Sequence, residues 1–371
     1  MQPHFALWTT ATRFAVIACL WLGLGCGLGA QQAFPGPRWE SRSPETVGMS
    51  SNKLAEFSAL VGGRGCVVRH GFMIFSWGDQ SKSSDVASAF KPVLSTLMLM
   101  AVQEGRISSV DEPVAKFEPR LRQLNGGKDA AITWRHLASQ MSGYGLSEKP
   151  GTAYSYNDFA LTLYYDTLMD KVFRTNADEV LHSRLAESLQ FEDRATFFAF
   201  GTNNRPGRLA LSCRDFARVG LLYLHAGRWD DTQLLKPDFA RLAISSPIDP
   251  ATPLTQAIDA DMLPRQRSLG GKKNITPVGP GYYSFNWWLN RTNAAGERLF
   301  VDAPPDMFVA SGHGGIRVML VIPSLDLIAS WNDSQIEDHD KSPGNPNTRN
   351  NRAFKALVES CSEAAESSRP K

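Results

Sequence analysis

The feature that most constrains this chain is where its two hydrophobic periodicities fall. Strand-like runs lie towards both ends, and helical spacing fills the middle. Near the start, Cys66 to Phe75 reads as two strands joined by a tight turn at Gly71. Strand-like runs return at Tyr282 to Leu289, Met307 to Ala310, Ile316 to Ile322 and Leu327 to Trp331, and a last helix follows from about Asn350 to Ser360. Between them the helical candidates are Phe90 to Glu104, Ile132 to Gln140, Ala160 to Val172, Ala177 to Leu189 and Arg214 to His225. This distribution predicts one discontinuous α/β (α+β) domain with an antiparallel sheet, residues 31–82 plus 275–365, flanked by N- and C-terminal helices. A mainly helical domain, residues 83–274, is inserted into it, and residues 366–371 form a tail.

Residues 1–30 carry one formal charge, Arg13, then the apolar run Phe14 to Leu28 and the small residues Gly29-Ala30. That is the plan of a secretory signal peptide, too short and too Gly-rich at its end for a membrane anchor. The expectation is export to the periplasm or the medium, with no stable membrane insertion after cleavage. Cys26 follows Leu22-Gly23-Leu24-Gly25, one position off the spacing of a lipid-anchor signal, so a lipid anchor is not expected. A formal net charge of +2 gives no electrostatic case for nucleic acid. Cys66, Cys213 and Cys361 are too scattered for a disulfide framework or a metal site and read as small buried hydrophobes. No cofactor or metal is expected: His-Glu-x-x-His is missing, and Asp338-His339-Asp340 reads as a solvated loop. Pro264 to Pro280 is the expected long surface loop.

Chemistry concentrates in three segments. Ser88-Ala89-Phe90-Lys91 opens the helical run through Leu94, Leu97 and Met98, so Ser88 and Lys91 lie one turn apart on one face. The helix start offers unpaired N–H groups beside Ser88, which favour an oxyanion there. A desolvated Lys91 can take up the hydroxyl proton. The spacing alone proves little, because Ser50-Ser51-Asn52-Lys53 matches it too and reads as a helix cap. The second segment, Pro150 to Asp158, is a turn and a helix start that presents the Tyr156 hydroxyl, a general base when it sits near an ammonium and otherwise a packing residue. In the third, Ser311-Gly312-His313-Gly314-Gly315 precedes a strand, and its glycines let a substrate approach the sheet edge. The Ile316 N–H is the expected partner of the Ser88 N–H in an oxyanion hole. No Gly-x-Ser-x-Gly occurs, which excludes the usual nucleophile elbow of α/β-hydrolases.

In this order and spacing the three segments resemble the β-lactamase-related serine hydrolases, which include class C β-lactamases, D,D-peptidases, carboxylesterases and aminohexanoate-oligomer hydrolases. The similarity runs from about Val47 to Leu357 and includes Val68-Arg69-His70-Gly71, Gln103 to Ile107, Ile132 to Leu137 with Met141-Ser142-Gly143, Asp215 to Leu224, and Ile322 to Leu327. It implies a β-lactamase/transpeptidase-like fold, a Ser88 acyl-enzyme, and Lys91 and Tyr156 as general base and acid. It also implies a small-molecule ester, amide or peptide substrate whose carboxylate or acyl side meets the strand at His313, Gly314 and Gly315. The chain departs from the family pattern twice. Tyr156-Asn157-Asp158 puts a carboxylate where an amide is usual, and His313-Gly314-Gly315 replaces Lys-Thr-Gly and its permanent charge, which argues against efficient β-lactam hydrolysis. Asp158 is then either coupled to Lys91 and Tyr156 or the cap of the helix near Phe159. The competing function is a non-catalytic peptide or cell-wall binder on the same fold, against which the joint retention of Ser88, Lys91 and Tyr156 argues.

Overall fold

The computed structural model describes residues 34–200, 205–245, 247–264, 278–336 and 342–361. The expected signal peptide, most of the Pro264 to Pro280 loop and the Asp338-His339-Asp340 segment lie outside the described residues. Among the described residues no helix is long and apolar enough to cross a membrane.

The strands are β1 (Arg64–Arg69), β2 (Phe72–Trp77), β3 (Ser84–Asp85), β4 (Thr196–Phe200), β5 (Arg205–Leu211), β6 (Arg228–Trp229), β7 (Thr232–Gln233), β8 (Tyr283–Ser284), β9 (Trp287–Leu289), β10 (Phe308–Gly312), β11 (Arg317–Ile322) and β12 (Leu327–Asn332). The α-helices are α1 (Ser51–Val61), α2 (Lys91–Gln103), α3 (Trp134–Ala138), α4 (Asp158–Asp166), α5 (Ala177–Leu181), α6 (Cys213–Leu224), α7 (Pro237–Ser245) and α8 (Arg349–Glu359). Seven strands form an antiparallel sheet in the order β2-β1-β12-β11-β10-β9-β8. Both ends of the chain therefore build one sheet, joined where Val67 of β1 lies opposite Ala329 of β12. This is the expected α/β class.

Both faces of the sheet are covered, so its central strands are apolar on both sides rather than alternating with polar residues. Val67, Leu320, Ala329 and Trp331 pack with Leu54 and Phe57 of α1 and with Phe354 and Leu357 of α8. Cys66, Val68, Met319, Val321 and Ile328 face the other way, into the core shared with α2 and α6. Helix α6 reaches the sheet through Gly220, where an added Cβ would lie 2.9 Å from Met319 Sδ and 3.0 Å from Ile328 Cγ2. Ser50 caps α1 by accepting from Lys53 N at 3.4 Å, so the second Ser-x-x-Lys is a helix start. Cys66 and Cys213 are buried and Cys361 is half-buried, all three as free thiols.

The stretch expected to be mainly helical also contains sheet. β3, β5 and β4 form a separate three-stranded sheet, with Asp85 opposite Ala210 and Phe197 opposite Leu209. Pro206-Gly207 interrupts the strand pattern in the sequence and hides the hairpin. Two expected helices end in wider π turns, α4 running into Thr167–Phe173 and α5 into His182–Ala186.

A buried guanidinium ties α6 to the chain's lead-in. Arg218 is fully buried. It pairs with Glu192 at 3.0 Å, donates to Leu189 O and Gly36 O at 3.0 and 3.1 Å, and lies over the Trp39 ring. Removing it takes from buried Asp215 the guanidinium 3.8 Å away and from Glu192 one of its two cations, Arg214 remaining at 2.9 Å, and breaking a buried pair in this way costs about 3 to 5 kcal/mol. Arg218→Ala is therefore expected to lower the unfolding free energy by about that amount in a urea titration.

Candidate active site

Chain geometry forces Ser88 into view. Ala87 adopts φ +50° just ahead of it, in the left-handed region that a non-glycine residue seldom occupies. A short 3₁₀ turn, Ala87–Phe90, then leads into α2 with Pro92 in its first turn, where the missing N–H has no intrahelical partner to lose. This puts Lys91 Nζ 2.7 Å from Ser88 Oγ. Lys91 is 1% exposed, so its ammonium must find its partners within the protein.

Those partners come from the turn before α4. The Tyr156 hydroxyl makes a short hydrogen bond with Lys91 Nζ, and the ammonium also lies 4.2 Å from the Tyr156 ring centroid. Asp158 Oδ1 is 3.5 Å from the same nitrogen. The cap of α4 is Asn157, whose Oδ1 accepts from Phe159 N at 2.9 Å and from Ala160 N at 3.1 Å. Its Nδ2 donates to Tyr144 O, and its backbone N–H donates to Gln140 Oε1. Asn157 is thus structural, and Asp158, one residue on, is left to face Lys91.

An aromatic cluster orients Tyr156. Trp288 of β9 stacks on it with ring centroids 6.3 Å apart and planes 17° apart, and Tyr283 meets its edge at 6.2 Å. Burial pushes the Tyr283 and Tyr154 phenols well above their usual range and keeps them neutral. Tyr156 is half-buried, and of the three its hydroxyl is the one bonded to Lys91.

The third segment sits differently from expectation. His313, Gly314 and Gly315 form a tight turn after β10, with His313 itself at φ +48°. The Ile316 N–H donates to His313 O at 3.2 Å, which closes the turn, so in this conformation it does not serve as the expected oxyanion donor. Gly314 O accepts from Asn350 Nδ2 at 3.0 Å, and a Cβ on Gly315 would collide with the Asn350 side chain. These two glycines serve contact with α8. The glycine that meets the turn before Ser88 is Gly312, where an added Cβ would lie 2.7 Å from Val86 O, 3.0 Å from Ala87 Cβ and 3.1 Å from Ala89 N. The His313 ring is exposed, and its Nδ1 lies 2.6 Å from Arg317 Nη1. Arg317 is the register partner of Gly312, so a permanent cation does stand where β10 ends and β11 begins.

The Beta-lactamase family model matches residues 54–331, more than half of the chain and all three segments. The chain belongs to the beta-lactamase family. Its fold is shared with a candidate beta-lactamase from Bacteroides dorei DSM 17855, at 17% identity and TM-score 0.61 over 85% of this chain and 100% of the other. A candidate 6-aminohexanoate-dimer hydrolase from Bacillus anthracis follows at 13% identity and TM-score 0.59, over 90% and 88%. EstCE1, a hydrolase with promiscuous acyltransferase activity, gives 13% identity and TM-score 0.58 over 84% and 97%. Among curated proteins, none matches the sequence significantly.

Within this beta-lactamase-family site the sequence reading overlooked Trp288 and Arg317, and took Gly312 only as one of the glycines that let a substrate approach. Gly312 had a usable signal, since it stands in the Gly-rich segment at the end of a strand. Gly312→Ala is expected to push the turn before Ser88 out of line and to lower kcat/KM for ester hydrolysis by about 10². Steady-state rates on a p-nitrophenyl ester check this, and an unchanged rate would show that the contact is slack.

Proposed function

We propose that the protein is an exported serine hydrolase that transfers the acyl group of a small ester or amide first to Ser88 and then to water. The observation that carries this reading is the buried Lys91 ammonium held between Ser88 Oγ and the Tyr156 hydroxyl. Ser88 Oγ attacks the carbonyl carbon while its proton passes to the Lys91–Tyr156 pair in the form that is one proton short, with an amine or a phenolate as the acceptor. The oxyanion rests on the Ser88 N–H at the first helical turn and on a second donor from the end of β10. The pair then protonates the leaving alkoxide or amine, and later takes a proton from the water that releases the acyl group.

The named activities of the structural relatives, beta-lactamase, aminohexanoate-dimer hydrolase and hydrolase with acyltransferase activity, are compatible with one acyl-enzyme resolved by different acceptors. Esters and amides are favoured over penicillins because His313 stands where the related β-lactamases carry a lysine, and the Arg317 guanidinium beside it is turned onto His313 Nδ1. Export rests on the signal-peptide plan of residues 1–30.

A fluorophosphonate probe and a panel of p-nitrophenyl esters, nitrocefin and D-amino-acid amides test the reading on purified protein. Ser88→Ala is expected to abolish labelling and turnover while the protein stays folded. Labelling that persists in that variant would sink the assignment, and a wild-type protein that never labels would favour a binder. Lys91→Ala and Tyr156→Phe are each expected to cost about 10²-fold or more, and the double variant far less than the product, because both serve one proton path.

Asp158 gives a separate pH test. A carboxylate 3.5 Å from the ammonium favours its protonated form. Asp158→Asn removes that charge, so the acidic limb of the kcat/KM profile is expected to move to lower pH by about one unit. Asn157→Ala is expected to lower stability by about 1 kcal/mol through the lost cap and to leave the limb in place. A limb within about 0.3 units of wild type in Asp158→Asn would remove Asp158 from the catalytic set.

A further inference from the structure

The left-handed backbone at Ala87 is held from outside its own turn. Ala87 is fully buried, and its N–H donates to Asp85 Oδ1 at 2.8 Å. Asp85 does not act alone: Arg208 Nε donates to the same Oδ1 at 2.9 Å, and Arg208 Nη2 bonds Oδ2, making a two-point grip on the carboxylate. Arg208 is itself buried on β5, the strand that pairs with β3 and accepts Val86 N at Leu209 O, 3.0 Å away. On the other side, Asn332 at the end of β12 donates to Ser84 Oγ at 3.1 Å and to Asp85 O at 3.2 Å. The segment 84–87 is therefore fastened to both sheets just before Ser88.

We propose that Asp85, gripped by Arg208, is a positioning residue that keeps Ala87 left-handed and so keeps Ser88 Oγ on Lys91. The proposal rests on reading Ser88 as the nucleophile. A non-glycine residue in this region reverts to φ < 0 unless its surroundings over-determine it. Here the over-determination is one N–H donated to a carboxylate that a planar guanidinium holds at two points. If Ala87 relaxes, the turn shifts relative to α2, and a displacement of about 1 Å at the nucleophile is enough to lose about 10² in rate.

The test is the rate of fluorophosphonate labelling and of p-nitrophenyl ester hydrolysis, with melting temperature followed in parallel. Asp85→Ala is expected to label about 10²-fold more slowly, with kcat lowered and KM little changed. Asp85→Asn, which keeps an oxygen for the Ala87 N–H, should recover to within about tenfold of wild type. The decisive variant is Asp85→Ala with Ala87→Gly, since glycine takes φ > 0 without a clamp. It is expected to label at least about tenfold faster than Asp85→Ala without regaining melting temperature. A double variant no faster than Asp85→Ala, or an Asp85→Ala protein as fast as wild type, would overturn the proposal. Should Asp85→Ala fail to fold, Arg208→Gln alone and with Ala87→Gly gives the same comparison. Ser88→Ala run alongside separates the two ideas: labelling there refutes the nucleophile, whereas a dark Ser88→Ala beside a fast Asp85→Ala refutes only the clamp.

Discussion

An ammonium withdrawn from water sets the terms for this structure. Burying the Lys91 charge costs several kcal/mol after any relaxation, and the cost is offset only if its donors are met by well-placed acceptors. Ser88 Oγ and the Tyr156 hydroxyl accept from it, the Asp158 carboxylate supplies an opposite charge 3.5 Å away, and the Tyr156 ring adds its π face. Ser88 belongs to the turn before α2, and the other two to the start of α4. The fold has to bring α2, the turn before α4 and the strand carrying Trp288 to one point, or the charge is left unpaired. The arrangement that stabilises Lys91 is also the one that aligns a hydroxyl, a phenol and a base.

Neighbouring residues divide the work so that this convergence is possible. Asn157 takes over the capping of α4, which frees Asp158 for the ammonium. Gly312 has no side chain, so the end of β10 can lie against the turn at Val86 to Ala89. Deep burial of Tyr154 and Tyr283 keeps those phenols neutral, and Tyr156 is the hydroxyl bonded to Lys91.

The parts that were legible in the sequence are local ones. Ser88 and Lys91 are one helical turn apart, the hairpin at Gly71 follows alternation, and the apolar runs of β11 and β12 are short and bounded by turn residues. The same logic separated Ser50 from Ser88, because only Ser88 has the later segments behind it. What stayed hidden depends on contacts between distant positions. Asp85 and Arg208 are 123 residues apart, and neither has a local pattern that announces the other. β4 and β5 are about as long as the strands that were legible, but Pro206-Gly207 breaks the alternation of β5. The Ile316 N–H that closes onto His313 O was likewise not legible, because hydrophobic pattern does not record turn geometry.

The turn at His313 carries the consequence furthest. Arginine has only donors, so Arg317 Nη1 at 2.6 Å requires His313 Nδ1 to offer its lone pair. In that contact the ring's N–H donor is Nε2. This end of β10 and β11 therefore presents an imidazole donor beside a guanidinium bonded to it, rather than a lysine ammonium. Such a donor orients a carbonyl or an ester oxygen, whereas a substrate carboxylate would have to draw Arg317 away from His313 before gaining its charge. If the proposed acyl transfer takes place here, discrimination between acyl groups would accordingly depend on how firmly the Arg317–His313 pair holds together.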